Sequence, residues 1–169
     1  MSIVFISAGG PTCDTTVLIA GATGTNIGDM TGGGGLAAAF DDNASQGKLV
    51  SARKLSGGED SYIGKDWGAG VTKWLSHIVM TAPTDAGFRN AGTETITFTV
   101  YGNNSAPANS SDGTQIGSGT VTDAQSGPVT KDITGLDTTT AYRYHWVKIT
   151  WSASTEASNC AECDMYGCG

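Results

Sequence analysis

Few residues in this chain have the type and spacing for chemistry. Cys13 stands alone near the N-terminus, and Cys160, Cys163 and Cys168 follow at the other end in the pattern C-x2-C-x4-C. A four-thiolate zinc or iron–sulfur site would use all four, and Cys160-x2-Cys163 supplies half of one, but the usual second C-x2-C is missing. A disulfide and free thiols are the other states open to them. A cytosolic origin favours thiols or metal, and exposure to air permits a disulfide. Alternation around Cys163 buries it, and a buried cysteine is often a small hydrophobe. Acid–base and nucleophilic groups are scarcer still. There are two histidines, His77 and His145, and no G-x-S-x-G, no H-E-x-x-H and no phosphate-binding loop. The chain therefore reads as a non-enzyme with no catalytic residue. Aromatics offer a different chemistry, since a sugar site commonly combines a ring platform with a few fixed donors. Tyr62 and Trp67, flanked by glycines and charges, are the ligand-binding candidates, with Arg89 as a polar companion. Core packing accounts better for Trp74, Trp146 and Trp151, and His77 reads as a strand histidine satisfied within the fold.

These residues need a scaffold, and the composition says which kind. The chain of 169 residues fits one domain, 1–169, and is large enough for a core. Hydrophobic residues are 38% and charged residues 15%, with the deficit filled by Gly, Thr, Ser and Asn. Such residues supply turns and half-exposed strands, so the balance points to an all-β protein. The net charge is −7 and the nine Lys and Arg do not cluster, which argues against nucleic acid and anionic membrane as partners. The N-terminus MSIVFISAGGPTC has no basic n-region, and its apolar run of four is too short for a secretory signal. No apolar run approaches a membrane span. The expectation is a chain made in a cytosol and kept soluble.

Strands are expected at 2–7, 15–20, 49–55, 71–80, 93–101, 114–121, 129–133, 141–151 and 160–166, and 62–67 holds two aromatics beside Lys65 and Asp66. The run at 93–101 is the cleanest, because Ile96, Phe98 and Val100 alternate with polar partners. In 71–80 neither face is consistently apolar, which suggests a bulge that changes parity midway. Both faces of 141–151 carry large residues, so it reads as a central strand covered on both sides. In 160–166, Ala161, Cys163 and Met165 form the apolar face. Residues 36–43 are the one helix-like piece, and 21–35, rich in Gly, reads as a surface loop. About eight to ten short strands with turns between them predict a sandwich or barrel.

Two segments together resemble a known family. LAAAFDDNASQ (36–46) resembles the A-F-D-G-N-x-S-T turn of the discoidin, or galactose-binding-like, jelly roll. AYRYHWVKITWS (141–152) followed by AECDMYG (161–167) is similar to its closing pair, R-Y-V-R-I and then A-E-hydrophobic-x-hydrophobic-Y-G. The middle, TFTVYGNNSAPANSSDGTQIGS (97–118), resembles the strand and loop of such domains on phage structural and fibre proteins. The resemblance implies a single jelly-roll β-sandwich of about eight strands, with the chain ends close together and a binding surface in loops at one end. It also implies a structural calcium held by Asp41, Asn43 and Glu162. The sequence departs from the pattern at Asp42, where Gly is usual, at Gln46, where Thr is usual, and at Lys48 and Leu49, where a Trp is expected. Because the ends meet in this fold, a bridge from Cys13 to Cys160 or Cys168 is implied. By closing a loop of roughly 150 residues it would add about 2–5 kcal/mol. The function implied is that of a non-enzymatic phage virion surface protein: a head decoration, head fibre or tail-fibre component. Its partners would be other virion proteins and a glycan, with many copies on one particle. The alternatives are a stand-alone carbohydrate-binding module and a purely structural capsid or tail protein with no ligand.

Overall fold

Alternation at 93–101 becomes a strand whose inner face is the middle of the core. The structure, a computed structural model, describes residues 17–19, 23–55, 60–88, 94–123, 128–151 and 157–169. Among them are eleven strands: β1 Thr25–Gly28, β2 Gly32–Gly33, β3 Ala52–Lys54, β4 Asp60–Asp66, β5 Trp74–Thr81, β6 Glu94–Asn103, β7 Thr114–Asp123, β8 Thr130–Ile133, β9 Tyr144–Thr150, β10 Ser158–Cys160 and β11 Glu162–Cys168. One 3-10 helix covers Leu36–Phe40. No helix among the described residues is long and apolar enough to cross a membrane. The strand expected at 2–7, together with Cys13 and Arg89, lies outside the described residues.

A five-stranded antiparallel sheet in the order β1-β4-β9-β6-β7 forms one layer. Two three-stranded sheets, β11-β5-β8 and β10-β3-β2, complete the fold. Ile96, Phe98 and Val100 of β6 and Val147 and Ile149 of β9 are fully buried, as are Ile78, Met80, Cys163 and Met165 of the β11-β5-β8 sheet. Phe98 meets Phe88 edge-on, with ring centroids 4.9 Å apart. Burying side chains of this size is the main driving force for the fold, about 1.5–3 kcal/mol each.

The central position expected for 141–151 is observed, since β9 pairs with both β4 and β6. Its second face is covered too. Trp146 is fully buried on that side, stacks with Tyr101 at 5.5 Å, and donates from Nε1 to the Ser110 carbonyl at 2.8 Å. The bulge expected in 71–80 is also present. Tyr166 pairs with His77, but Gly167 pairs with Leu75, so Ser76 is the extra residue. Parity changes there: Leu75 is buried on one side of it, Ile78 and Met80 on the other.

Three elements differ from the expectation. The segment 160–166 is not one strand. β10 pairs with β3 and β11 pairs with β5, and the chain changes sheets at Ala161, whose N–H donates to the Thr81 carbonyl. Only Ala52–Lys54 of 49–55 is strand, because residues 47–51 turn through hydrogen bonds from Val50 and Ser51 to the Gly47 carbonyl. Part of the Gly-rich stretch is ordered into β1 and β2. Gly33 has φ 63°, and a Cβ there would meet the Ser51 carbonyl, so glycine is what lets β2 approach β3. Within the expected strand 15–20, Leu18 bridges Tyr166 and Ile19 donates to the Met165 carbonyl.

Candidate functional site

Two places gather polar residues, and only the first is built from residues singled out by sequence. The first is an acidic turn. The 3-10 helix ends at Phe40, and Asp42 adopts φ 60°, the left-handed conformation that explains why glycine is usual at this position. The turn packs on β11, so Glu162, on the face opposite Cys163, is only 2% exposed. The Asn43 backbone N–H donates to Glu162 Oε2 at 2.8 Å and to Asp41 Oδ1 at 3.1 Å. Gln46, 5% exposed, donates from Nε2 to Asp41 Oδ1 and Oδ2 at 2.6 and 2.7 Å and to the Ala38 carbonyl at 3.1 Å. Beneath lies Lys65, 2% exposed, with Nζ 4.3 Å from the centre of the Phe40 ring. Burial lowers the Lys65 pKa, while the charges of Cys163 and Glu162 act the other way. Burial first, then Asp164, pushes Glu162 up to about 7, opposed by the Asn43 N–H.

Calcium requires six to eight oxygens at about 2.3–2.6 Å. Asp41, Asn43 and Glu162 are brought together, as the resemblance implies, but Asn43 contributes a backbone N–H and Asp41 is met on both oxygens by an amide donor. Among the described residues no group of three or more His, Cys, Asp and Glu side chains is placed to hold a metal ion. The residues present do not make a calcium cage.

The second place is a groove of about 400 Å³ lined by Asp29, Thr31, Gly32, Arg53, Lys54 and Leu55. Three segments build it. Asp29 follows β1 and locks onto β4, accepting the Tyr62 N–H at Oδ1 (2.9 Å) and donating its own N–H to the Tyr62 carbonyl. Its other oxygen pairs with Lys54 at 2.8 Å, and Lys54 also donates to the Asp60 carbonyl at 2.7 Å. Arg53 is held through Nε by Asn159 Oδ1 at 3.0 Å. Asn159 is itself fully buried and fixed to the Gly87 carbonyl. The Arg53 guanidinium therefore sits on a rigid support at the groove. Tyr62 faces away from the core on β4. Burial, and then the Asp29 charge, raises its phenol pKa. Leu55 is 59% exposed and gives the groove an apolar wall.

The remaining sequence candidates fall elsewhere. Trp67 is not a platform. It is 6% exposed, packs in the core, and donates from Nε1 to His145 Nδ1 at 2.8 Å. His145 is fully buried, and desolvation lowers its pKa to about 3. His77 stacks on Tyr166 at 4.2 Å and lines a smaller groove of about 370 Å³ with Ser76, Asp132, Thr134 and Gly135. Cys160 is a free buried thiol that donates to the Glu162 carbonyl, which corrects its reading as a bridge partner. Cys163 is also free and buried, and Cys168 is disulfide-bonded. Sequence reasoning passed over Arg53, Lys54 and Asp29, which carry no motif and are joined only by strand pairing.

Searches against protein-family models and curated proteins match nothing. Solved structures do match. A fucose-binding module of Streptococcus pneumoniae aligns with TM-score 0.59 at 16% identity, over 89% of this chain and 97% of that one. Chitosan-binding module 1 of a chitosanase/glucanase from a Paenibacillus species aligns with TM-score 0.58 at 17% identity, over 89% and 99%. A fucolectin from striped bass (Morone saxatilis) serum aligns with TM-score 0.61 at 13% identity, over 85% of this chain and 46% of that one. The fold is the galactose-binding-like β-sandwich. Identity this low speaks for the fold alone, and function has to be argued from the site.

Proposed function

We propose that the protein is a non-enzymatic carbohydrate-binding module that holds a saccharide in the Asp29–Arg53–Lys54 groove. The observation that carries this is the fixed Arg53 guanidinium, which lines one groove with Asp29, Lys54 and the apolar wall of Leu55. A planar guanidinium presents paired N–H donors to vicinal hydroxyls, and a carboxylate returns an acceptor. Holding both rigidly lowers the ordering cost of binding. The fold is shared with modules described as binding fucose and chitosan, which supports the reading without fixing the sugar.

A glycan array probed with a multimerised form should show selective binding, and a flat array at high multivalency would sink the idea. For any sugar found, Arg53→Ala should weaken affinity by about tenfold or more, the loss of one charge-assisted hydrogen bond. Unchanged affinity would move the site elsewhere. A virion setting, with many copies on a particle, is a separate proposal. It rests on the resemblance of residues 97–118 to phage structural proteins, and absence of the chain from purified particles would end it.

A further inference from the structure

The acidic turn raises a question that the groove does not. Asp41, Asp42, Glu162 and Asp164 crowd one place, and Glu162 is buried there. Buried carboxylates must be met by donors or by a cation, or else hold a proton. We propose that this turn is closed without metal: the Gln46 amide and the Lys65 ammonium take the place of the calcium ion that the sequence resemblance implies.

The Gln46 amide carries the first half of the argument. Its Nε2 lies within 2.6–3.1 Å of three oxygens, both of Asp41 and that of Ala38. That is a position a cation would otherwise occupy. Turning the amide over would aim Oε1 at the same three oxygens, so its partners fix the nitrogen inward. Gln46 Oε1 is buried without a partner as a result, a cost accepted to keep the donor in place. Threonine, usual at this position in the resemblance, offers a single O–H on a shorter side chain in place of the amide's two N–H donors.

Lys65 carries the second half. It is buried on β4, and the nearby Glu162 opposes the lowering of its pKa by burial. Its ammonium lies over Phe40, the residue immediately before Asp41, which adds a cation–π attraction. The Asn43 N–H completes the arrangement, because it aims one proton at Asp41 and Glu162 together. A metal ion cannot share that point with a proton.

The test uses the whole chain, stripped with EDTA and dialysed. Thermal unfolding in EDTA and in millimolar calcium chloride should give the same midpoint, and calorimetric titration with calcium should give no heat of binding. A midpoint that rises with calcium, or one-to-one binding, would overturn the proposal by showing that the turn holds the ion after all. Gln46→Thr should unfold at a lower temperature than the unaltered chain in EDTA, and no drop would remove the amide from the argument. If that variant does not fold, the calcium titration of the unaltered chain decides alone.

Discussion

His145 gives the sharpest quantitative prediction. It is fully buried, accepts the Trp67 Nε1–H at Nδ1, and has a pKa lowered from 6.5 to about 3 by desolvation. The unfolded chain takes up a proton near pH 6.5, and the folded chain does not until near pH 3. Stability from this group is therefore complete above pH 6.5 and is lost as pH falls towards 3. Each pH unit inside that window removes about 1.4 kcal/mol, so acidification to about pH 5 costs about 2 kcal/mol. Glu162 acts in the opposite sense. Its pKa is raised from 4.5 to about 7, so its contribution is complete below pH 4.5 and is lost as pH rises through 7. Comparing the unaltered chain with His145→Gln cancels that term, and the glutamine retains an acceptor for Trp67. Urea unfolding of both chains between neutral pH and about pH 5 should show the unaltered chain losing about 2 kcal/mol more than the variant. Parallel pH profiles would mean that His145 takes up a proton in the folded state, and the buried neutral Trp67–His145 pair would be wrong.

Other outcomes follow from packing and burial. Phe98→Ala empties the edge-on contact with Phe88 at the middle of the core and should cost about 3–5 kcal/mol in urea unfolding. Gly64→Ala sets a Cβ against the His145 carbonyl and the Trp146 backbone, atoms that cannot rotate away. It should cost about 3 kcal/mol, and an unchanged midpoint would contradict the β4–β9 register. Cys160 and Cys163 are free, fully buried, and raised in pKa by desolvation. Peptide mapping after alkylation should find both unmodified in the folded chain and modified in denaturant.

What could be read from sequence depended on whether side chains or backbone carry the signal. The alternation of Ile96, Phe98 and Val100 is a side-chain signal, and β6 lies where it was expected. So does the bulge at Ser76, because a parity change in apolar residues is visible in the letters. β2 is held by backbone pairing through two glycines that have no side chain to advertise a face, and β1 is a run of four with one large apolar residue, Ile27, too short to show a period. Trp67 misled because its glycine and charged neighbours suggest a loop, while its indole turns inward to His145. The groove was invisible for a different reason. Asp29, Arg53 and Asn159 are far apart in sequence, and only the pairing of β3 with β10 lets Asn159 fix Arg53.

The position of β11 reverses a common ordering of local stability. Segments near the extremes of a sequence usually open first and exchange their amide hydrogens early. Here β11 is flanked by β5 on one side and by residues 17–19 on the other, through Ile19 to Met165 and Gly167 to Val17. Its inner residues, Cys163 and Met165, are fully buried, and the helix ending at Phe40 covers part of it. Residues at opposite ends of the sequence thus belong to one cooperative unit that must open together. The amides of 163–167 should be among the last to exchange with deuterium, later than those of the turn at 47–51, which lies in the middle of the chain.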